Sequence, residues 1–280
     1  MRTTFITFIL LATALINTSA QDQTTAADYE RQIVASYTSK NMPMLDSLLK
    51  SYYNTGLYPI DVLMYNYNEL QGMEDWSVIV MSSAESLIGK LILQRVLNEH
   101  RDKVLVCIET GGLDATICGK LGIAEPQTSG RPEEVFEQTI KWVAEHSDRK
   151  VYFPFTDSPL FKQFPDAMKA CIYNEGLTMR YSTKPYDNRA VKRRNIEQRY
   201  RLEYLRMRFH PVMKNTQRFS GSAEGDAYAM NYMRLLRDQL PYYKQHNKER
   251  YQWLCDIFRD VISQLEKKNY DVDEFNDYLK

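Results

Sequence analysis

Hydroxyl and carboxyl side chains follow three short apolar segments of this sequence, and they are its best candidates for chemistry. The nine residues are Ser82, Ser83 and Glu85 after the first segment, Glu109, Thr110 and Asp114 after the second, and Thr156, Asp157 and Ser158 after the third. Paired carboxylates serve as acid, base or nucleophile in glycoside hydrolysis. We therefore treat the nine as a candidate pocket, in which Glu85, Glu109 and Asp157 are the possible acids, bases or metal ligands.

The same residue types also fit a structural role. Ser82 and Glu85 have the spacing of a capping box, which satisfies backbone amides at the start of a helix. Asp157 and Ser158 precede Pro159, a combination typical of a helix start. Because caps of these types are routine, we favour capping over catalysis and keep catalysis as the alternative.

Familiar catalytic and cofactor motifs are missing from the sequence. It has no glycine-rich dinucleotide fingerprint, no P-loop and no G-x-S-x-G. The four histidines are scattered singly, and the cysteines form no C-x-x-C pair. We predict neither a metal site nor a cofactor.

One segment, residues 184–218, is strongly basic, with eleven Lys or Arg against three Asp or Glu. We expect a helix over residues 188–209 with two apolar faces, separated by two basic stripes. The stripes are Lys192, Arg199 and Arg206, and Arg194, Arg201 and Arg208. They are candidates for binding a phosphate-bearing glycan, a lipid headgroup or an acidic partner. We favour the alternative, in which they are solvated or ion-paired.

The elements that must position these residues alternate along the chain. Apolar segments at 78–81, 104–108, 151–155 and 177–182 have the composition of strands, and residues between them repeat at helical spacing. This order predicts an α/β fold: a small, mainly parallel sheet of about four strands with crossover helices, plus N-terminal helices and a C-terminal helical bundle. The nine pocket residues would then meet at the carboxyl edge of the sheet, where such sheets bind ligands.

The two ends of the chain suggest its organisation and location. Residues 1–20 resemble a secretory signal, with Arg2 before a short apolar core and Thr18-Ser19-Ala20 as a cleavage site. An uncleaved anchor is the alternative. We expect a disordered leader at 21–27, the α/β domain with its helical cap at 28–183, and the helical region at 184–280. The predicted location is secreted or periplasmic, with no transmembrane segment after cleavage.

Charge and cysteine content limit the possible partners. The chain has 36 basic and 36 acidic residues, which argues against nucleic acid as a partner of an exported protein. Cys107, Cys118, Cys171 and Cys255 allow three disulfide pairings, and we favour buried free thiols instead.

Between helical regions, the sequence contains three segments in this order: RVLNEHRDKVLVCIE, VYFPFTDSPLF and GLTMRYS. In their order and spacing, residues 57–268 resemble the soluble extracytoplasmic part of bacterial membrane proteins related to protein O-mannosyltransferases. That family typically has a Gly-Asp-Asn-Asp type loop after its first strand, where this chain has Ser82-Ser83-Ala84-Glu85-Ser86. The chain also lacks the membrane-embedded transferase half. The resemblance therefore implies a fold and an envelope location, and no catalytic residue is carried over.

Together these observations favour an exported, envelope-associated binding or accessory protein without an evident catalytic motif. Its partner would be an envelope glycan or protein. The alternative is an enzyme that acts on a glycan or phosphoester at the carboxyl edge of the sheet.

Overall fold

A five-stranded mixed sheet forms the centre of the α/β domain. The computed structural model describes residues 24–207 and 222–276, apart from the side chain of Ser158. The strands are β1 (Val78–Met81), β2 (Val104–Cys107), β3 (Val151–Pro154), β4 (Ile172–Asn174) and β5 (Thr178–Tyr181). Their order is β2-β1-β3-β5-β4. Strand β1 pairs in parallel with β2 and β3, whereas β5 is antiparallel to both β3 and β4.

The α/β class and the positions of the four expected strands are confirmed, but the sheet is less parallel than expected. The sequence pattern favours one helix through Cys171, whereas residues 172–174 form the extra strand β4. Gly176 has φ of 130°, a conformation that suits glycine and permits the tight turn between β4 and β5. This hairpin makes one half of the sheet antiparallel.

Helices surround the sheet in the order that the apolar periodicity indicates. Those before and between the strands are α1 (Ala26–Thr38), α2 (Met42–Asn54), α3 (Ile60–Gly72), α4 (Glu85–Leu91), α5 (Ala115–Leu121), α6 (Pro132–His146), α7 (Ser158–Phe161) and α8 (Asp166–Lys169). Helix α4 continues into a π-helical turn, Ile92–Val96. Helix α1 begins inside the expected leader, because Thr25 accepts a hydrogen bond from the backbone of Asp28 and so caps the helix. The expected signal segment, 1–20, lies outside the described residues.

The C-terminal region is helical, as expected, but its first helix is broken. Its helices are α9 (Asn188–Arg194), α10 (Tyr204–Met207), α11 (Ala223–Arg237), α12 (Leu240–His246), α13 (Lys248–Glu266) and α14 (Asp273–Asn276). A π-helical turn follows α9 and ends at Tyr200, whose backbone is extended. The side-chain amide of Asn68 stabilises the break, because its Oδ1 accepts from the N–H of Arg201 at 2.8 Å. The continuous helix expected over 188–209 is therefore wrong.

Alternation along the strands divides the core into two layers. Val78 and Val80 face Phe136 and other residues of α6, whereas Ile79 and Met81 face the helices on the opposite side. A third apolar cluster joins α11 and α13 through side chains such as Tyr232 and Phe258. Among the described residues, no helix is both long enough and apolar enough to cross a bilayer.

Candidate functional site

The three segments that follow β1, β2 and β3 meet at the carboxyl edge of the sheet, as the sequence predicts. Ser82 donates its backbone N–H and its hydroxyl to the two carboxylate oxygens of Asp157, at 3.1 and 2.6 Å. The backbone N–H of Ala84 donates to Oε2 of Glu109 at 2.7 Å. Hydrogen bonds to the carboxylates of Asp157 and Glu109 therefore join the segment after β1 to the segments after β3 and β2.

Asp157 is the most enclosed carboxyl group of this set. Burial raises its pKa, although the two hydrogen bonds from Ser82 act in the opposite direction. Asp157 does not cap the helix that follows it, and Ser82 does not cap α4. The capping that we favoured is thus replaced by a bond between two strand ends.

The remaining pocket residues are partly engaged in local structure. Asp114 is a true cap: it accepts from the N–H of Ile117 at 2.9 Å and pairs with Lys40. Burial opposes ionisation of Asp114, but the ammonium of Lys40 and the N–H of Ile117 lower its pKa. The hydroxyl of Thr110 donates to the carbonyl of Cys107 at 3.3 Å. For Ser83, Glu85 and Thr156, no side-chain hydrogen bond is found within the described ranges; the side chain of Ser158 lies outside them.

Behind this edge lies a buried ion pair that the sequence patterns did not identify. Nζ of Lys90 donates to Oε2 of Glu69 at 2.6 Å and to Oδ1 of Asn66 at 2.7 Å. The two charged side chains are only 1% and 2% exposed. Burial raises the pKa of Glu69, and Lys90 opposes this shift. The available signal was a single lysine within the apolar run LIGKLIL.

The five candidate anion-binding residues that the structure describes each contact other groups of the chain. Arg194 and Arg199 both pair with Glu74, and Arg199 also donates to the carbonyl of Met73 at 2.9 Å. Their other contacts follow: Lys192 pairs with Asp238, Arg206 pairs with Asp260, and Arg201 stacks on the ring of Tyr67. Arg208 lies outside the described residues. The ion-paired alternative describes these side chains better than a shared anion site does.

A different basic surface lies at the amino edge of the sheet, beside the start of β3 and the end of β5. A cavity of about 500 Å³ is lined there by residues 144, 145, 147–151 and 180–184. Its cationic side chains are Arg149, Lys150, Arg180 and Lys184, and its acidic ones are Glu145 and Asp148. In the part of the chain that the structure describes, neither Lys150 nor Lys184 has an ion-pair partner within 4.0 Å.

Arg180 is held in place at this cavity by two contacts. Its guanidinium lies 4.6 Å from the ring centroid of Tyr186, and its Nη1 is 3.5 Å from Oε1 of the buried Glu175. Its Nε is buried and has no acceptor among the described residues. The side chain is 18% exposed, so the terminal N–H groups of the guanidinium, rather than Nε–H, are the donors that a ligand can reach.

An exposed aromatic ring lies beside the same cavity. Trp76 is 67% exposed, and the guanidinium of Arg149 lies 5.8 Å from its ring centroid. The backbone of Trp76 has φ of 55°, which is uncommon for a bulky residue. Its N–H donates to Oδ2 of Asp102 at 3.0 Å, which fixes the backbone there. We call Trp76, Arg149, Lys150, Arg180 and Lys184 the amino-edge site.

Sequence reasoning missed the amino-edge site because its members come from three distant segments. The available signals were weak: Arg149 and Lys150 directly precede a strand, and Lys184 follows another. Within residues 24–207 and 222–276, no three His, Cys, Asp or Glu side chains are arranged to hold a metal ion.

Comparisons of this chain with known proteins found no match. No protein-family model matches the sequence, and neither a curated protein nor a solved structure matches it.

Proposed function

We propose that this protein is a non-catalytic binding protein of the cell envelope that holds an acidic glycan at the amino-edge site. The observation that carries the proposal is the exposed ring of Trp76 beside Arg149, at a cavity with further cations. Aromatic rings offer an apolar face to a sugar, and arginine and lysine pair with its carboxylate or phosphate. The N-terminal signal and the resemblance described above support an envelope location.

The arrangement of the cations fits a ligand with a negative charge. Lys150 and Lys184 lack an ion-pair partner among the described residues, so a bound anion would not have to displace one. Arg180 is already oriented by Tyr186 and Glu175, which lowers the entropy cost of binding. Glu145 and Asp148 also line the cavity, and they favour a ligand that carries hydroxyl groups as well as an anion.

The carboxyl edge offers less for catalysis. Both carboxylate oxygens of Asp157 already accept hydrogen bonds from Ser82, and Asp114 is occupied by a cap and an ion pair. A general acid or base must reach a substrate proton within hydrogen-bond distance. Asp157 and Asp114 are therefore engaged in structural contacts, and Glu85 is the carboxylate of this edge that has no hydrogen bond among the described residues.

Binding can be tested with trigalacturonate as the acidic probe and maltotriose as its neutral counterpart. Titration calorimetry of the full chain should give saturable binding of trigalacturonate and none of maltotriose. Lys150→Ala/Lys184→Ala should weaken binding at least tenfold, because it removes two charged hydrogen-bond donors. Trp76→Ala should also weaken binding at least tenfold, because it removes the aromatic face on which the sugar packs. The control variant is Lys50→Ala/Lys162→Ala, which removes the same charge from exposed positions elsewhere and should leave the affinity unchanged.

The results distinguish the proposal from its alternative. Equal affinity for both sugars, or an equal effect of the control variant, would contradict the proposed site. Turnover of a glycan or phosphoester that disappears in a folded Asp157→Asn variant would favour the enzyme.

A further inference from the structure

The outer edge of β2 presents backbone groups that the sheet does not use. Strand β2 is the first in the sheet order and pairs only with β1. Val104 directs its N–H to the carbonyl of Ser77, toward β1. Because parallel ladders alternate, the N–H and C=O of Leu105 point away from β1. No partner for either group is found among the described residues.

The carbonyls of Lys103 and Cys107 also point away from β1, but each of them accepts a hydrogen bond. The side chain of Gln94 donates to the carbonyl of Lys103 at 2.9 Å, and the N–H of Gly112 donates to the carbonyl of Cys107 at 2.9 Å. Among the described residues, the outward backbone groups without a partner are therefore the N–H and C=O of Leu105 and the N–H of Cys107. Unpaired edges of this kind accept an additional strand unless something covers them.

A groove runs along this edge between two helical layers. A cavity of about 220 Å³ has apolar walls of Leu91, Val104, Leu105 and Ile117. It shares Gln94, Arg95, Arg101 and Lys120 with an adjoining cavity of about 310 Å³. The groove thus combines an apolar floor with a cationic rim.

Two of the rim cations have no ionic partner in the described parts of the chain. Arg101 and Lys120 line both cavities and make no ion pair within 4.0 Å. By contrast, Arg95 pairs with Asp46, and Lys103 pairs with Asp102. Arg101 and Lys120 can therefore pair with the negative charges of a bound partner.

We propose that this groove binds an extended, acidic segment of a partner polypeptide by strand addition. The segment would exchange backbone hydrogen bonds with Leu105 and place one apolar side chain on Leu91 and the next on Ile117, which belong to opposite faces of the sheet. Its flanking acidic side chains would pair with Arg101 and Lys120. Successive residues of an extended chain are about 3.3 Å apart and alternate in direction, which matches a groove with apolar walls on both faces of the sheet. A second copy of this chain does not fit, because the same cations would then face one another.

The test uses a fluorescein-labelled peptide of seven residues, Glu-Glu-Val-Val-Val-Glu-Glu, and fluorescence polarisation with the full chain. We expect saturable binding that weakens at least tenfold in Arg101→Ala/Lys120→Ala. A peptide with the same sequence but N-methylated at alternate amides should also bind at least tenfold more weakly, because methylation removes the donors of a strand. The control variant Lys50→Ala/Lys162→Ala carries the same charge change at exposed positions elsewhere and should bind the peptide as the unmodified protein does.

Any of the following results would contradict the proposal. No binding of the Glu-Val peptide at millimolar concentration would exclude an acidic strand as the occupant. Equal binding of the N-methylated peptide would exclude strand addition, and loss of binding in Lys150→Ala/Lys184→Ala would place the peptide at the amino edge. A concentration-dependent dimer that Arg101→Ala/Lys120→Ala strengthens would assign the groove to a second copy.

Discussion

Ser82 and Asp157 connect two neighbouring strands at the point where their backbone pairing has ended. The register of β1 and β3 covers only Val78 with Val151 and Ile79 with Tyr152. Beyond it, Ser82 donates two hydrogen bonds, at 3.1 and 2.6 Å, to the carboxylate of Asp157. Side chains thus close the carboxyl edge where the backbone ladder does not.

Removing either partner of this contact should destabilise the domain. We expect Asp157→Ala and Ser82→Ala each to lower the free energy of unfolding by about 1–3 kcal/mol. Asp157→Ala removes both acceptors of the half-buried Ser82, and Ser82→Ala removes the hydroxyl that donates to the buried carboxylate. The double variant should cost much less than the sum. Urea denaturation of all four proteins measures this, and additive effects would show that the two side chains do not cooperate.

The pH dependence of stability should reflect the buried carboxyl of Asp157. Burial raises the pKa of Asp157 in the folded state above its ordinary value of 3.8. The folded state therefore binds a proton more tightly than the unfolded chain does. The stabilisation of the folded state by this proton is fully present below pH 3.8 and is lost as the pH rises through the folded pKa. Relative to Asp157→Asn, the unmodified protein should lose stability as the pH rises from 3.8. Parallel stability curves for the two proteins would contradict this.

Replacing one partner of the buried pair of Lys90 and Glu69 should lower the free energy of unfolding more than replacing both partners does. Lys90→Met leaves a carboxylate in the core without its cation, so we expect a loss of about 3–5 kcal/mol. Lys90→Met/Glu69→Leu should recover most of this loss, since no charge remains buried. Urea unfolding of the single and double variants checks the expectation; a double variant no more stable than the single one would contradict it.

All four cysteines should react as free thiols. Cys107, Cys118 and Cys255 are buried and Cys171 is half-buried, and none forms a disulfide. Burial also raises the pKa of Cys107 and Cys118, which slows their reaction in the native state. Thiol titration without reductant should count four thiols in denaturant and fewer in buffer. A count of two or none in denaturant would mean that disulfides form.

The sequence was sufficient for those features that depend on local periodicity. Strands β1, β2 and β3 are short apolar runs, and the helices between them show apolar spacing, so their positions and the shared carboxyl edge could be predicted. Strand β4 could not be, because its three half-buried residues are extended only through pairing with β5. The break near Tyr200 depends on Asn68, which is distant in sequence.

The carboxyl-edge residues and the amino-edge site also differ in how much of each could be predicted from the sequence. The carboxyl-edge residues follow predicted strands directly, whereas the bond between Ser82 and Asp157 depends on which strands are neighbours. The amino-edge site escaped prediction because Trp76, Arg149 and Arg180 come together only in the folded sheet. Its isolated basic residues resemble ordinary surface charges in the sequence.

Side-chain NMR of Arg180 tests the central claim most directly, because Arg180 lines the cavity and its Nε–H resonance reports on the guanidinium that a ligand would contact. Proton–nitrogen spectra would be recorded during titration with trigalacturonate, after assignment of this resonance through Arg180→Lys. We predict that the Arg180 Nε–H resonance shifts to saturation together with the indole N–H of Trp76. An unchanged Arg180 resonance, with shifts confined to residues 82–85, 109–114 and 156–157, would contradict the account and place the ligand at the carboxyl edge.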